Sequence, residues 1–241
     1  MAGAMLVAGT TSPPIKSTDQ RIIFSLIAFG IAFGFLEAAV VVYLRVISHS
    51  VRAAAGIPPD QLFPLIKIEQ IGSYMKIVRI EAAREASTIV MLVSIALAAT
   101  RNARTWIAAF ALVFGVWDLA FYASLRIMTG WPASLGNWDL LFLLPVPWTG
   151  PVLAPSIVAA SLVAGGIVAL MRQPPRIDRV TWMMLLAGGA IVFVSFIWEW
   201  RDVVAGMMPK NFPWTIFVAG ELMAIAGFAR AMTNVQAESR G

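Results

Sequence analysis

The chain has 241 residues, 59% of them hydrophobic and 13% charged, about half the charged share of a soluble domain. Its mean hydropathy of +0.80 excludes an ordinary soluble fold and fits a chain whose solvent is a bilayer. The absence of cysteine removes disulfides, thiolate metal sites and covalent haem attachment. His49 is the single histidine and rules out multi-histidine metal centres, while the formal charge of +5 lies beside apolar stretches and reads as topology control and lipid headgroup contact, not as a nucleic-acid surface.

Residues 1–20 lack a basic start and are punctuated by Pro13 and Pro14. They read as a disordered cytoplasmic tail, not as a cleaved signal peptide. The first span covers 22–46, long enough for ~30 Å of hydrocarbon at ~1.5 Å per residue. Gly30 and Gly34 form a small-xxx-small pair that admits another helix closely, and Glu37 lies inside the span. A long loop, 47–79, follows. Its part 66–80 mixes apolar and basic residues at helical spacing, and is either an interfacial amphipathic helix or an extension of span two.

Span two, 77–99, opens on Glu81-Ala82-Ala83-Arg84-Glu85. On a helix Glu81 and Glu85 share a face one turn apart, with Arg84 beside Glu81. Span three, 106–128, carries Asp118. The stretch 138–171 is too long for one simple span and is broken by Pro145, Pro147, Pro151 and Pro155. Proline removes a backbone donor and disfavours helix just upstream, so 140–144 is expected to be a half-helix or re-entrant piece and span four to cover 152–171. Span five is 180–198. Span six is 214–232 with Glu221 inside it, and a polar tail ends the chain. The expected fold class is all-α: a polytopic transmembrane bundle of six spans plus the proline-broken segment before span four.

The short loops around Arg101 and Arg104, and around Arg172, Arg176 and Arg179, are basic, as are the tails, whereas 129–137 has no Lys or Arg. Both termini are therefore expected in the cytoplasm. Most acids then fall toward the outer side. Glu37 and Glu221 lie ~10 Å and Asp118 ~15 Å below the outer ends of their spans.

A charge inside a membrane costs about 3 kcal/mol at a helix centre on insertion scales, and faces the bundle interior or a cavity. A layer of carboxylates is expected in the outer half of the bundle, with Arg84, and Arg79 or Arg126, as counter-charges. The candidate binding residues are Glu37, Glu81, Arg84, Glu85, Asp118 and Glu221. Trp148, inside the proline-rich break, either lines the cavity or packs against the break. The bland alternative is an ion-pair network that holds helices in register.

The motif Gly-x-Trp-Asp-Leu-x-Phe occurs at 115–121 and again at 136–142. Unequal inferred depths make the echo a coincidence and Trp138-Asp139 an interfacial anchor. Most of the nine tryptophans sit near span ends, as an aromatic belt does. No Walker loop, dinucleotide fingerprint, nucleophile elbow or HExxH is present. No metal site and no cofactor is expected.

The stretches 33–45, 81–92, 114–132 and 138–155 together resemble a group of uncharacterised bacterial multi-pass membrane proteins. The resemblance covers spans one to four and implies a bacterial membrane protein, with nothing about a substrate. Three roles stay open. The first is an outward-facing cavity that binds or moves a small polar solute or cation. The second is a non-catalytic membrane subunit that docks a partner helix or a second copy. The third is a membrane-embedded enzyme acting on a lipid or quinone headgroup with carboxylates as acid and base. Membrane lipids are the expected partners throughout.

Overall fold

The computed structural model describes residues 17–56, 75–100, 102–172 and 177–238. The tail 1–16, most of the long loop (57–74), Arg101, the loop centre 173–176 and the final residues lie outside the described residues. Six helices are long and apolar enough to cross a membrane, so the protein has the build of a multi-pass membrane protein.

Helix α1, Ser17–Ala54, has 38 residues and is roughly 57 Å long. It overruns the span expected at 22–46, because neither glycine nor proline interrupts 35–55, so Ser48 and His49 are helical. Gly56, at φ +71°, ends the turn that follows. Helix α2 is Met75–Ala99, so residues 75–80 extend span two; the rest of 66–80 is not described.

Helix α3, Ala103–Thr129, is capped at both ends. The Asn102 side chain accepts the Thr105 N–H at 3.0 Å, and Gly130, at φ 75°, closes the C-terminus. Helix α4 is Leu153–Met171 and α5 is Arg179–Phe196. A five-residue helix α6, Trp200–Val204, precedes α7, Trp214–Glu238.

The proline-broken segment is not a half-helix. Strand β1, Trp138–Phe142, pairs antiparallel with β2, Trp148–Pro151. The register sets Asp139 against Gly150 and Phe142 against Trp148, with an irregularity between Leu140 and Phe142. Pro145 and Pro147 fall in the connecting turn, where a missing N–H breaks no ladder bond. The end of β2 is fastened to α4 and to the preceding loop: Val152 N–H donates to the Asn137 carbonyl and Leu153 N–H to that of Leu135, both at 2.9 Å.

Helix α1 packs lengthwise on α3, α3 on α4, and α5 on α7. Glycine makes each seam close. A Cβ on Gly34 would stand 2.5 Å from the Trp117 carbonyl, one on Gly115 2.5 Å from that of Ala159, and one on Gly188 2.7 Å from that of Gly220. Lipid tails are as apolar as leucine, so such van der Waals contact, not apolar burial, holds the spans together. Gly30 and Gly34 are thereby spent on α3 of the same chain.

One core, with Leu26, Leu92, Leu112 and Trp117, joins α1, α2 and α3; a second, with Ala154, Phe196, Phe212 and Phe217, joins α4, α5 and α7. The hairpin touches both. Phe142 packs on the first, Trp138 and Trp148 on the second.

Candidate functional site

The carboxylates of the first three spans do converge. The second half of α1, the start of α2, the second half of α3 and strand β1 enclose a cavity of about 380 Å³. Its walls are mostly aliphatic and aromatic, and among the described residues five carboxylates, Glu37, Glu81, Glu85, Asp118 and Asp139, and three guanidiniums, Arg45, Arg52 and Arg84, project into it.

Arg84 is the hub at the α1–α2 side. Its Nη1 donates to both oxygens of Glu37, and its Nε and Nη2 donate to the two oxygens of Glu81, the Nε bond at 2.9 Å. One planar fork therefore serves two carboxylates, as only arginine can. The Thr88 hydroxyl donates to Glu37 Oε1 at 2.7 Å. Glu37, 6% exposed, is thus fully engaged by protein.

Glu85, one turn past Glu81, turns toward the hairpin instead. Its Oε2 accepts the Leu143 N–H at 2.8 Å. That bond satisfies a backbone donor left open where the β ladder has ended and before Pro145.

The third group sits between α3 and β1. The Tyr122 hydroxyl donates to Asp139 Oδ2 at 2.8 Å, both residues buried. Burial pushes the Asp139 carboxyl above the ordinary aspartate range. The Tyr122 hydroxyl, the Leu140 N–H and the charge of Arg45 pull it back without cancelling the shift. Arg45 also lies over the Trp131 ring, 4.6 Å from its centroid.

Asp118 is different. It is 8% exposed and lines the cavity, yet its carboxylate has no hydrogen bond or ion pair among the described residues. The neighbouring Trp117 Nε1 is buried without a partner as well. Around them stand the rings of Trp117 and Phe121, 6.5 Å apart, and of Trp117 and Phe142, 6.4 Å apart. Among the described residues, no three histidine or carboxylate side chains come together to hold a metal ion.

Two expected members are elsewhere. Glu221 is buried on α7, beside Gly220 at the α5 seam, and does not reach the cavity. Its depth along the span follows from counting residues, but its direction follows from α7 packing on α5. Trp148 packs against the break: its ring meets Phe193 at 4.7 Å and Phe142 at 5.3 Å, and its Nε1 donates to the Leu144 carbonyl at 2.8 Å. Nor do the alternative counter-charges serve. Arg126 donates to the carbonyls of Gly130 and Pro132, and Arg79 is exposed.

Arg45, Thr88, Trp117, Tyr122 and Asp139 complete the site. Tyr122 lies four residues after Asp118, a spacing that shares a helix face and points to it. Asp139 was signalled by the repeated Trp-Asp. Both aspartates of that echo line one cavity, so unequal depth does not separate the copies, and Asp139 is no interfacial anchor.

Compared with known proteins, the chain matches no family model, no curated protein and no solved structure.

Proposed function

We propose that the protein is a multi-pass protein of the bacterial inner membrane, with both termini in the cytoplasm, that binds a small polar solute or cation in the cavity between α1, α2, α3 and the hairpin, and moves it. The observation that carries this reading is the convergence of five carboxylates in a cavity of ligand size, one of them, Asp118, without a partner among the described residues. A structural ion-pair network has no use for a buried acid left open. Partner docking loses its main support, since the Gly30/Gly34 surface is filled by α3.

The orientation rests on the basic residues of the loops at Arg101–Arg104 and Arg172–Arg179. It places the cavity, at the opposite ends of the spans, toward the periplasm.

Flux tests the reading. Protein reconstituted into proteoliposomes is expected to take up at least one member of a panel of small cations and polar solutes under an imposed gradient, with Asp118→Asn abolishing the uptake. Absence of flux under every gradient, together with no ligand that raises the melting temperature of the purified protein, overturns it.

A further inference from the structure

The cavity's charges are not equally available. Arg84 occupies Glu37 and Glu81, Glu85 is turned to the Leu143 N–H, and Asp139 has the Tyr122 hydroxyl and the facing charge of Arg45. What remains is Asp118, more than nine-tenths buried, lining the cavity and unpartnered among the described residues. Beside it the rings of Trp117, Phe121, Tyr122 and Phe142 line the same wall.

We infer that the ligand is an organic cation, an ammonium with an apolar body, whose positive charge is held by Asp118 against the Trp117, Phe121 and Phe142 rings while its body lies along Val41, Leu44 and Val78. This rests on the cavity being a binding site, and adds the ligand's chemistry.

Three features favour that class. The wall offers, among the described residues, one unpartnered carboxylate, Asp118, with aromatic faces beside it, which suits a diffuse, weakly hydrated positive charge. A metal ion needs several oxygen ligands within reach of one point, and among the described residues no three acids come that close. The aliphatic walls and the 380 Å³ volume fit a molecule with an apolar body, in the usual size range of small-molecule sites. An anion is disfavoured by the five acids against three guanidiniums among the described residues.

The test compares three probes of similar bulk on the purified full chain in neutral detergent: benzyltrimethylammonium, its uncharged carbon isostere neopentylbenzene, and benzenesulfonate. Binding is read by calorimetry and by the shift in melting temperature. The ammonium is expected to bind at least about tenfold more tightly than the isostere, as loss of a desolvated charge partner implies. Asp118→Asn should erase that preference while leaving the isostere's binding in place, and Asp118→Glu should retain it. Trp117→Leu should weaken the ammonium more than the isostere.

Equal binding of ammonium and isostere, unchanged by Asp118→Asn, overturns the inference and leaves the cavity a binding site. Preference for the sulfonate does the same. If none of the probes binds and no other ligand raises the melting temperature, both readings fall. An Asp118→Asn protein that no longer melts cooperatively leaves the decision to Asp118→Glu and Trp117→Leu, and a Trp117→Leu protein that weakens both probes alike overturns the assignment of charge to the aromatic wall.

Discussion

Arg84 illustrates how a single side chain decides what a membrane interior tolerates. Its fork neutralises Glu37 and Glu81 across α1 and α2, so three charges cost the bundle little more than one. Removing a partner from a buried pair costs about 3–5 kcal/mol, because the other charge stays behind. Arg84 is about a quarter exposed, which places Arg84→Met at the low end, about 3 kcal/mol. Adding Glu37→Gln should restore part of the loss, since Thr88 can still donate to the amide oxygen. Unfolding of both variants in detergent checks this, and a double variant less stable than Arg84→Met would sink it. Asp178 makes the opposite case at the far end of the spans. Its side chain caps α5 by accepting the Thr181 N–H and pairs with Arg230 on α7, and these bonds, Thr181 first, lower its pKa from 3.8 to about 2. The folded protein then holds that proton more weakly than the unfolded chain. The stabilisation is present in full above the ordinary aspartate value and is lost as pH falls through about 2. Asp178→Ala should melt below wild type at neutral pH, with the gap closing as the pH falls toward 2; a gap that stays constant would show that the carboxylate charge plays no part.

Helix seams here are made by absence of side chains. The expected small-xxx-small pair Gly30/Gly34 is used as the sequence suggested, but by a neighbour from within the chain. Gly34→Leu would drive a side chain into the Trp117 backbone, where even a Cβ stands 2.5 Å from the carbonyl. Overpacking of this kind costs about 1–3 kcal/mol. Gly189 is the control, since a Cβ there meets nothing within 4 Å, and Gly189→Leu should leave the melting temperature within a degree or so of wild type. Equal effects at the two glycines would mean that helix propensity, not the α1–α3 approach, sets the outcome. The spans themselves were legible because the bilayer demands length and apolarity together, and few other causes produce runs like 153–171. The hairpin was not. Trp138–Phe142 is a short, mostly apolar run whose period cannot separate strand from helix, and its partner, Trp148–Pro151, carries a proline and a glycine that hide it. What selects the strand is tertiary: Glu85 accepts the Leu143 N–H, and Gly150 lies flat against Phe196 and Phe212, with a Cβ only 3.1 Å from both rings.

For the assembled bundle, α4 and the hairpin both join the two halves, because each packs on both cores, and the hairpin also supplies a cavity wall. Counting residues along a span gives distance from its end, and Glu37, Glu81, Glu85 and Asp118 do line one cavity. It says nothing about azimuth, which is why Glu221 on α7 was wrongly expected to join them and Asp139 on the hairpin was missed. The level also carries a direction. The cavity lies at the ends of α1 and α3 that lead into 57–74 and 129–137, opposite the arginine loops, so the side from which a ligand arrives depends on which way the bundle is inserted. The chain has no native cysteine, so single replacements report topology without background. Ala133→Cys, exposed beside the hairpin, should react with a membrane-impermeant maleimide in intact spheroplasts. Arg172→Cys, exposed at the end of α4, should react only after the membrane is opened; Arg176 and Arg179 remain in that loop to hold the orientation. The reverse pattern would turn the cavity toward the cytoplasm. Asp118 would keep its place among the aromatic rings, but the ligand would then have to be a cytoplasmic one, and uptake measured from the periplasmic face would be zero for a reason unrelated to the site's chemistry.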